Sequence, residues 1–169
     1  QIDGICAYNE ELAHAELLRA EVLHSFQSAL EKEEFVLYFQ PKISGKNAEI
    51  TSAEVLVRWQ RADGEIWGPN KFISVLEECG KVEALDFYVY EKAFQWLTEQ
   101  GEESAVPITL SLNISPFHFR DMEGFTEKLL DIINKYQVDT RNLIFEITES
   151  ADFADVQYLI EVLNQLKDK

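Results

Sequence analysis

The hydrophobic and polar positions of the chain follow two periods, one typical of helices and one typical of strands. Apolar residues recur at helical spacing across Asn9–Glu33, with charged residues between them, which predicts an amphipathic helix. Aromatic and β-branched residues, or a strict period of two, predict strands at Phe35–Ile43, Ile50–Trp59, Pro107–Ser115 and Asn142–Thr148. Helical patterns predict further helices at Asn70–Cys79, Val82–Gln100, Phe125–Tyr136 and Asp155–Leu166, the first two ended by Gly80 and Gly101.

Strands that alternate with helices of this length predict an α/β fold with a parallel sheet and right-handed crossovers. No linker rich in serine or proline divides the chain, so one unit is expected after residues 1–33, which comprise a short linker and the first helix. The pattern ends on a helix, where a barrel or a doubly wound sheet would add another strand. We therefore expect the chain to be part of a larger domain.

The composition is strongly acidic, with 31 Asp and Glu against 15 Lys and Arg and a formal net charge of -16. Such a surface repels phosphate backbones, so a nucleic-acid polymer is an unsuitable partner. A small anionic ligand stays possible, because a bound metal or a few cations can reverse the field inside one cleft. Two isolated cysteines and the lack of a membrane-spanning apolar run favour a cytoplasmic location, although a longer parent protein could carry an anchor elsewhere.

Polar side chains occupy one face of several predicted strands, where a helix-covered parallel sheet normally has apolar residues. Strand alternation places Glu54 and Arg58 on the same face of one strand, and Asn113 and Glu146 on the polar faces of two others. Each of these residues alone is more often an exposed polar group than a ligand. Two carboxylates and one amide oxygen together form a hard oxygen set that suits Mg²⁺ or Mn²⁺, and the set favours a metal site.

Five short motifs occur in order from Phe35 onward: Tyr38-Phe39-Gln40-Pro41, Ser52-Ala53-Glu54-Val55-Leu56-Val57-Arg58-Trp59, Pro69-Asn70-Lys71-Phe72-Ile73, Leu112-Asn113-Ile114-Ser115 and Phe145-Glu146-Ile147-Thr148-Glu149-Ser150. The second resembles the signature strand of the EAL family of cyclic-di-GMP phosphodiesterases, in which Glu-Ala-Leu precedes a variable residue, Arg and Trp. The others resemble the family's first strand, the segment after its loop, its asparagine motif and its Glu-Ile-Thr-Glu strand end. This resemblance implies that residues 34–169 form the N-terminal part of an EAL domain, a partial TIM-like (β/α) barrel.

The resemblance also implies roles for individual residues. Glu54, Asn113 and Glu146 would be ligands of Mg²⁺ or Mn²⁺. Three groups would contact the dinucleotide: Gln40, the Leu56 backbone and Arg58, the last through a charge-assisted fork to a phosphate oxygen. Glu149 would brace a loop that belongs to the later part of the domain. The implied reaction is the metal-dependent hydrolysis of cyclic di-GMP to linear pGpG in bacterial second-messenger signalling.

The sequence departs from the family pattern in two places. Val55 replaces the signature alanine, but strand parity points its side chain away from Glu54, so we expect only a packing adjustment. The family's paired-aspartate motif, its lysine and its general base would follow Lys169. We therefore expect no complete catalytic set within this fragment and no activity of the fragment by itself.

Two functions remain open at this stage: a phosphodiesterase, and a non-catalytic module of a degenerate EAL protein that binds cyclic di-GMP or another protein. The helix Asn9–Glu33 resembles the connector that joins an upstream GGDEF-like domain to an EAL domain. A partial sheet with exposed edges predicts a homodimer.

Other conspicuous residues favour structural roles. His118 has no partner at nucleophile or metal spacing and predicts a surface or loop histidine, and Glu77-Glu78 predicts a solvated helix face. The tryptophans Trp59, Trp67 and Trp96 are more typical of packing residues than of base-stacking platforms.

Overall fold

A computed structural model describes residues 10–43, 45, 50–103, 108–147, 157–158, 160–161 and 164 of the chain. Its helices are α1 (Glu10–Glu31), α2 (Ile73–Glu78), α3 (Val82–Glu103) and α4 (Met122–Tyr136). Its strands are β1 (Phe35–Ile43), β2 (Ile50–Gln60), β3 (Ile66–Trp67), β4 (Thr109–Ile114) and β5 (Leu143–Ile147). The predicted α/β order is confirmed, with the short β3 as an additional strand.

The strands form one mixed sheet in the order β1-β2-β4-β5, with β3 paired to β2. The pairs β2–β4 and β4–β5 are parallel, whereas β1 and β3 run antiparallel to β2. The prediction of a wholly parallel sheet was therefore wrong for its first strand. Only residues 44–49 connect β1 to β2, and a parallel crossover needs a dozen residues or more.

The back of the sheet is apolar and is covered by α3 and α4. Ala53 and Val55 of β2 lie there with Leu110 and Leu112 of β4, packed against buried residues of both helices such as Phe94. Val55 is buried on this face, opposite to Glu54, so the expected packing role of this departure from the family pattern is confirmed. Covering only one face leaves the polar face of the sheet open to solvent.

The second half of α1 belongs to a separate hydrophobic cluster. Its residues Val22 and Phe26 are buried against Phe35, Trp59 and other core residues, including Ala29, Trp67, Phe72, Leu76, Val82 and Leu85. Leu17, in the first half of the helix, is 71% exposed. The packing of α1 against this cluster therefore extends from Leu18 toward the C-terminal end of the helix.

Two helix boundaries differ from the predicted ones. The segment Asn70–Cys79 is divided into a 3-10 turn at Pro69–Lys71 and the helix α2, because Phe72 between them adopts a non-helical φ of -133° with its side chain buried in the core. Helix α3 continues through Gly101, since glycine tolerates helical backbone angles as well as left-handed ones.

The predicted final helix, Asp155–Leu166, lies mostly outside the described residues, and its described positions are helical. Among the helices that the structure describes, none combines the length and the apolar character needed to cross a membrane.

Candidate functional site

The open face of the sheet collects the polar residues that the sequence singled out. Gln40 on β1 lies directly opposite Glu54 on β2, and Asn113 on β4 lies directly opposite Glu146 on β5. Asn113 also reaches across β4–β2, since its Nδ2 lies 3.4 Å from Glu54 Oε1. The three predicted metal-ligating residues therefore lie together on one face.

Lys42 lies among these residues. Its Nζ donates to Glu146 Oε1 at 2.5 Å and to the hydroxyl of Ser111 at 3.1 Å. This ion pair joins β1 to β5, although β2 and β4 lie between them. In a flat sheet, three strand spacings would separate these strands by about 14 Å. The contact thus reflects a sheet that curves toward its polar face, as the wall of a barrel does.

The charges of this face perturb one another. The hydrogen bond that Lys42 donates to Glu146, and then the charges of Glu146 and Glu54, raise the pKa of Lys42 above its ordinary value. The hydrogen bond from Lys42 lowers the pKa of Glu146, and a hydrogen bond with Ser111 lowers it further. At neutral pH the site therefore holds an ionised carboxylate paired with an ammonium group.

The predicted substrate-binding residues extend from this cluster along β2. Leu56 and Arg58 follow Glu54 on the same face, so Arg58 lies about 13 Å along the strand from Glu54, toward the end of β2. Its guanidinium stands over the ring of Tyr38, 5.6 Å from the centroid, and Nη1 donates to the backbone carbonyl of Val57. Among the described residues, these contacts use only part of the Arg58 donor fork, and the remaining N–H groups are of the kind that bind an anion.

Two hydrogen bonds hold the end of β4 from the helical side. The buried phenol of Tyr90 on α3 donates to the backbone carbonyl of Asn113 at 2.9 Å, and burial raises its pKa well above the ordinary tyrosine value. Ser115 donates to Glu77 at 2.9 Å. The interpretation of Glu77 as a solvated residue was therefore wrong, whereas Glu78 is exposed and pairs with Arg19.

His118 was also predicted wrongly. It is buried in a 3-10 turn after β4, where its Nε2 lies 2.8 Å from Asp86 Oδ2 and its ring packs against Phe125. The Pro116–Arg120 turn directs the His118 side chain inward, toward α3 and α4, so this histidine is a core residue although it lies in a connecting turn. Burial raises the pKa of Asp86.

The tryptophans were predicted correctly as packing residues. Trp59 and Trp67 are buried, and Trp96 stacks on Phe39 with ring centroids 4.3 Å apart.

The residues of the open face fit a hard divalent cation. Glu54, Asn113 and Glu146 offer two carboxylates and one amide oxygen, the ligand types of Mg²⁺ and Mn²⁺, and Lys42 shows that a positive charge is already accommodated there. In the described parts of the chain, this face included, no group of three or more His, Cys, Asp or Glu could hold a metal ion, so the set here depends on the amide oxygen of Asn113 beside the two carboxylates. Glu149, the predicted loop-bracing residue, lies outside the described residues.

The sequence reasoning missed three residues of the site. Lys42 has the same strand parity as Gln40, and Ser111 has the same parity as Asn113, so alternation could have identified both as facing the site. No local pattern could have identified Tyr90, because its bond to Asn113 depends on how α3 packs against β4.

A family model described as "EAL domain" matches residues 23–169. Among curated proteins, the chain is 29% identical over 150 residues to a probable cyclic di-GMP phosphodiesterase of Escherichia coli, PdeB. This match covers 86% of the chain and 28% of the relative. The chain therefore spans less than a third of that protein's length.

Two solved structures share the fold. The FimX EAL domain of Xanthomonas citri, in complex with cyclic di-GMP, matches with a TM-score of 0.76 at 22% identity, over 91% of this chain and 60% of that one. The FimX EAL domain of Pseudomonas aeruginosa, bound to cyclic di-GMP, matches with a TM-score of 0.68 at 27% identity, over 86% of this chain and 56% of that one. These matches confirm the predicted partial TIM-like barrel.

Proposed function

Because the chain belongs to the EAL domain family, we propose that it is part of a phosphodiesterase that hydrolyses cyclic di-GMP to linear pGpG with the help of Mg²⁺ or Mn²⁺. The observation that carries the proposal is the convergence of Glu54, Asn113 and Glu146 on one open face. Solubility alone does not require two carboxylates and an amide to lie close together around the Lys42 ammonium group.

Each residue of the face has a distinct task in this proposal. Glu54, Asn113 and Glu146 hold the divalent cation, which when bound activates water and offsets the charge that develops on the phosphate. Arg58 binds a phosphate oxygen of the dinucleotide through its free N–H groups, and Gln40 and the Leu56 backbone orient the ligand. The curved sheet places these groups on its concave side, where a ligand loses part of its water shell.

The remaining catalytic groups come from the later part of the domain, according to the family resemblance. The chain covers 60% and 56% of the two FimX domains, which supports this division of the site. We therefore expect no turnover from the 169 residues alone, even with Mg²⁺ or Mn²⁺ present. Appearance of pGpG in proportion to the concentration of the isolated chain would contradict this.

A second candidate is a module that binds cyclic di-GMP, or a partner protein, without cleaving the dinucleotide. The matched FimX EAL domain of Pseudomonas aeruginosa, 27% identical, supports ligand binding, since that domain is bound to cyclic di-GMP. The presence of Glu54, Asn113 and Glu146 together on one face favours the enzyme, because dinucleotide binding by itself does not require three metal ligands. Measured hydrolysis by the full-length protein separates the two candidates.

We also propose three features of the setting. An upstream GGDEF-like domain is joined through α1, and the matched relative is indeed much longer than this chain. Two copies associate through exposed edges of the sheet. The protein acts in the cytoplasm, where its proposed substrate is a soluble second messenger.

The decisive experiment compares Glu54→Gln with Glu65→Gln in the full-length protein. Glu65 has the same charge but pairs with Lys71 outside the site, so it is a matched control. Glu54→Gln should abolish pGpG formation and weaken Mn²⁺ binding by on the order of 100-fold or more, since losing even a residue that supports a metal ligand costs about 10- to 100-fold. Glu65→Gln should change neither quantity, and unchanged turnover in Glu54→Gln would refute the metal assignment.

A further inference from the structure

We propose that Lys42 is an internal counter-cation of the site, which must leave Glu146 before that carboxylate can bind a divalent metal ion. The inference rests on the proposed metal-binding function of Glu146 and concerns what sets the affinity for the metal. The observation that supports the inference is the direct contact between the Lys42 ammonium group and Glu146 Oε1, at 2.5 Å.

The position of Lys42 is specified by more than one contact. It follows Gln40 on the same face of β1, and the register between β1 and β2 shifts directly after it, between Lys42 and Ile43. Such bulges redirect side chains near functional sites. The ammonium then donates to both Glu146 and Ser111, on β5 and β4. Although the Lys42 side chain is 44% exposed, its ammonium group is held by residues of two other strands.

The charge balance explains why this contact matters for metal binding. Glu54 and Glu146 bring two negative charges to the face, and Lys42 compensates one of them. A divalent cation and an ammonium group at the same carboxylate oxygen repel each other strongly at such a distance. Lys42 therefore withdraws from Glu146 when the metal binds, and its flexible side chain is free to turn toward solvent or a bound phosphate.

Two consequences follow for the site. In the absence of metal, Lys42 keeps the two carboxylates together without mutual repulsion, so the ligand set is organised in advance. In the presence of metal, the lost ion pair subtracts from the binding free energy, so the protein binds the ion more weakly than its ligands alone would allow.

The test measures Mn²⁺ binding to the full-length protein by the loss of the free-ion electron paramagnetic resonance signal, without substrate. The Mn²⁺ binding that is lost in Glu146→Gln is the part of the total binding that belongs to this site. Lys42→Gln should bind Mn²⁺ about two- to fivefold more tightly than the unmodified protein, which is the range for losing an exposed ion pair. Lys42→Arg keeps the charge and should bind Mn²⁺ as the unmodified protein does.

Lys71→Gln is the matched control. Lys71 pairs with Glu65 at 2.7 Å, and its side chain is 41% exposed against 44% for Lys42. Lys71→Gln therefore removes the same charge and breaks a similar ion pair as Lys42→Gln does. This variant should leave Mn²⁺ affinity unchanged. A thermal melt of each variant distinguishes the counter-cation role from a purely structural one. If Lys42 only joined β1 to β5, its replacement would lower the melting temperature and leave the Mn²⁺ affinity unaltered.

The possible results distinguish the inference from the function on which it rests. If the unmodified protein binds Mn²⁺ through Glu146 but Lys42→Gln binds it equally or more weakly, the counter-cation role is wrong and the metal site stands. If Glu146→Gln removes no Mn²⁺ binding at all, the proposed metal site fails and the inference fails with it. Should Lys42→Gln not fold, Lys42→Met serves the same comparison, because the exposed lysine stem is retained as an apolar chain.

Discussion

The phenol of Tyr90 on α3 donates a hydrogen bond to the backbone carbonyl of Asn113, 2.9 Å away, from the side of the sheet opposite to the Asn113 side chain. A core residue thus fixes the backbone of a proposed metal ligand. The tyrosine is 1% exposed, so no water replaces the bond when it is removed. The helical layer behind the sheet therefore contributes to the geometry of the open face.

Tyr90→Phe should lower the free energy of unfolding by about 1–3 kcal/mol, because it leaves a buried carbonyl without its donor. It should also weaken Mn²⁺ binding, since the Asn113 backbone is less restrained. Tyr88→Phe is a matched control on the same helix, where the phenol donates to the carbonyl of Phe35 at 3.0 Å, away from the site. Equal Mn²⁺ affinities for the two variants, measured by titration, would argue against a positioning role for Tyr90.

Arg58→Ala should weaken cyclic di-GMP binding roughly 10- to 100-fold, because a hydrogen bond to a charged group contributes about 1.5–3 kcal/mol. Arg58→Lys should recover only part of this affinity, since an ammonium group lacks the planar fork. Isothermal titration calorimetry on the full-length protein provides the measurement. Arg141→Ala removes an equal charge from a side chain that is 81% exposed, and it should bind the dinucleotide normally. Similar losses in both arginine variants would mean that general electrostatics dominates.

Phe26→Ala should destabilise the fold by about 3–5 kcal/mol, the usual cost of truncating a buried phenylalanine. Phe26 is 1% exposed in the cluster that joins α1 to the sheet. Leu17 lies on the same helix and is 71% exposed, so Leu17→Ala should change the free energy of unfolding by no more than about 0.5 kcal/mol. Urea denaturation measures both values, and a small effect of Phe26→Ala would show that α1 is an independent connector.

Asp86 should contribute a pH dependence to stability. Burial raises its pKa above the ordinary value of 3.8, so the folded protein retains this proton at a pH where the unfolded chain has lost it. The resulting stabilisation is complete at low pH and is lost as the pH rises through the folded-state pKa. Asp86→Asn should remove that decline. The test measures the free energy of unfolding of the unmodified protein and of Asp86→Asn by urea titration between about pH 4 and pH 7. Parallel pH curves for the two proteins would contradict a pH-dependent contribution from Asp86.

The 169-residue chain, studied by itself, should form a dimer. Strand β5 pairs only with β4 among the described strands, and Ile144 on its open face is 45% exposed. Sheet edges and apolar surface of this kind recruit a second copy when no other segment covers them. Light scattering at micromolar concentration should give twice the chain mass of 19.5 kDa. Ile144→Lys should restore the monomer, and a cooperatively melting monomer of the unmodified chain would show that the sheet caps itself.

Much of the site could be predicted because strand alternation is a local property. Side chains two residues apart share a face, so the grouping of Glu54 with Arg58 follows from sequence alone. The same rule placed Asn113 and Glu146 on the polar faces of two other strands, and the five motifs then related these strands to one family site. The same rule applied to β1 would have placed Lys42 beside Gln40, but it could not have shown which carboxylate Lys42 would contact.

By itself, the sequence determined the order of helices and strands, the apolar and polar faces of each strand and the family. These features depend on the spacing of residues near one another in the chain. Only the tertiary structure decided that β1 pairs antiparallel with β2, that Lys42 reaches Glu146 across a curved sheet, and that His118 is buried against Asp86. The physical reason is that these contacts depend on strand register, sheet curvature and helix packing, which residues distant in sequence establish together.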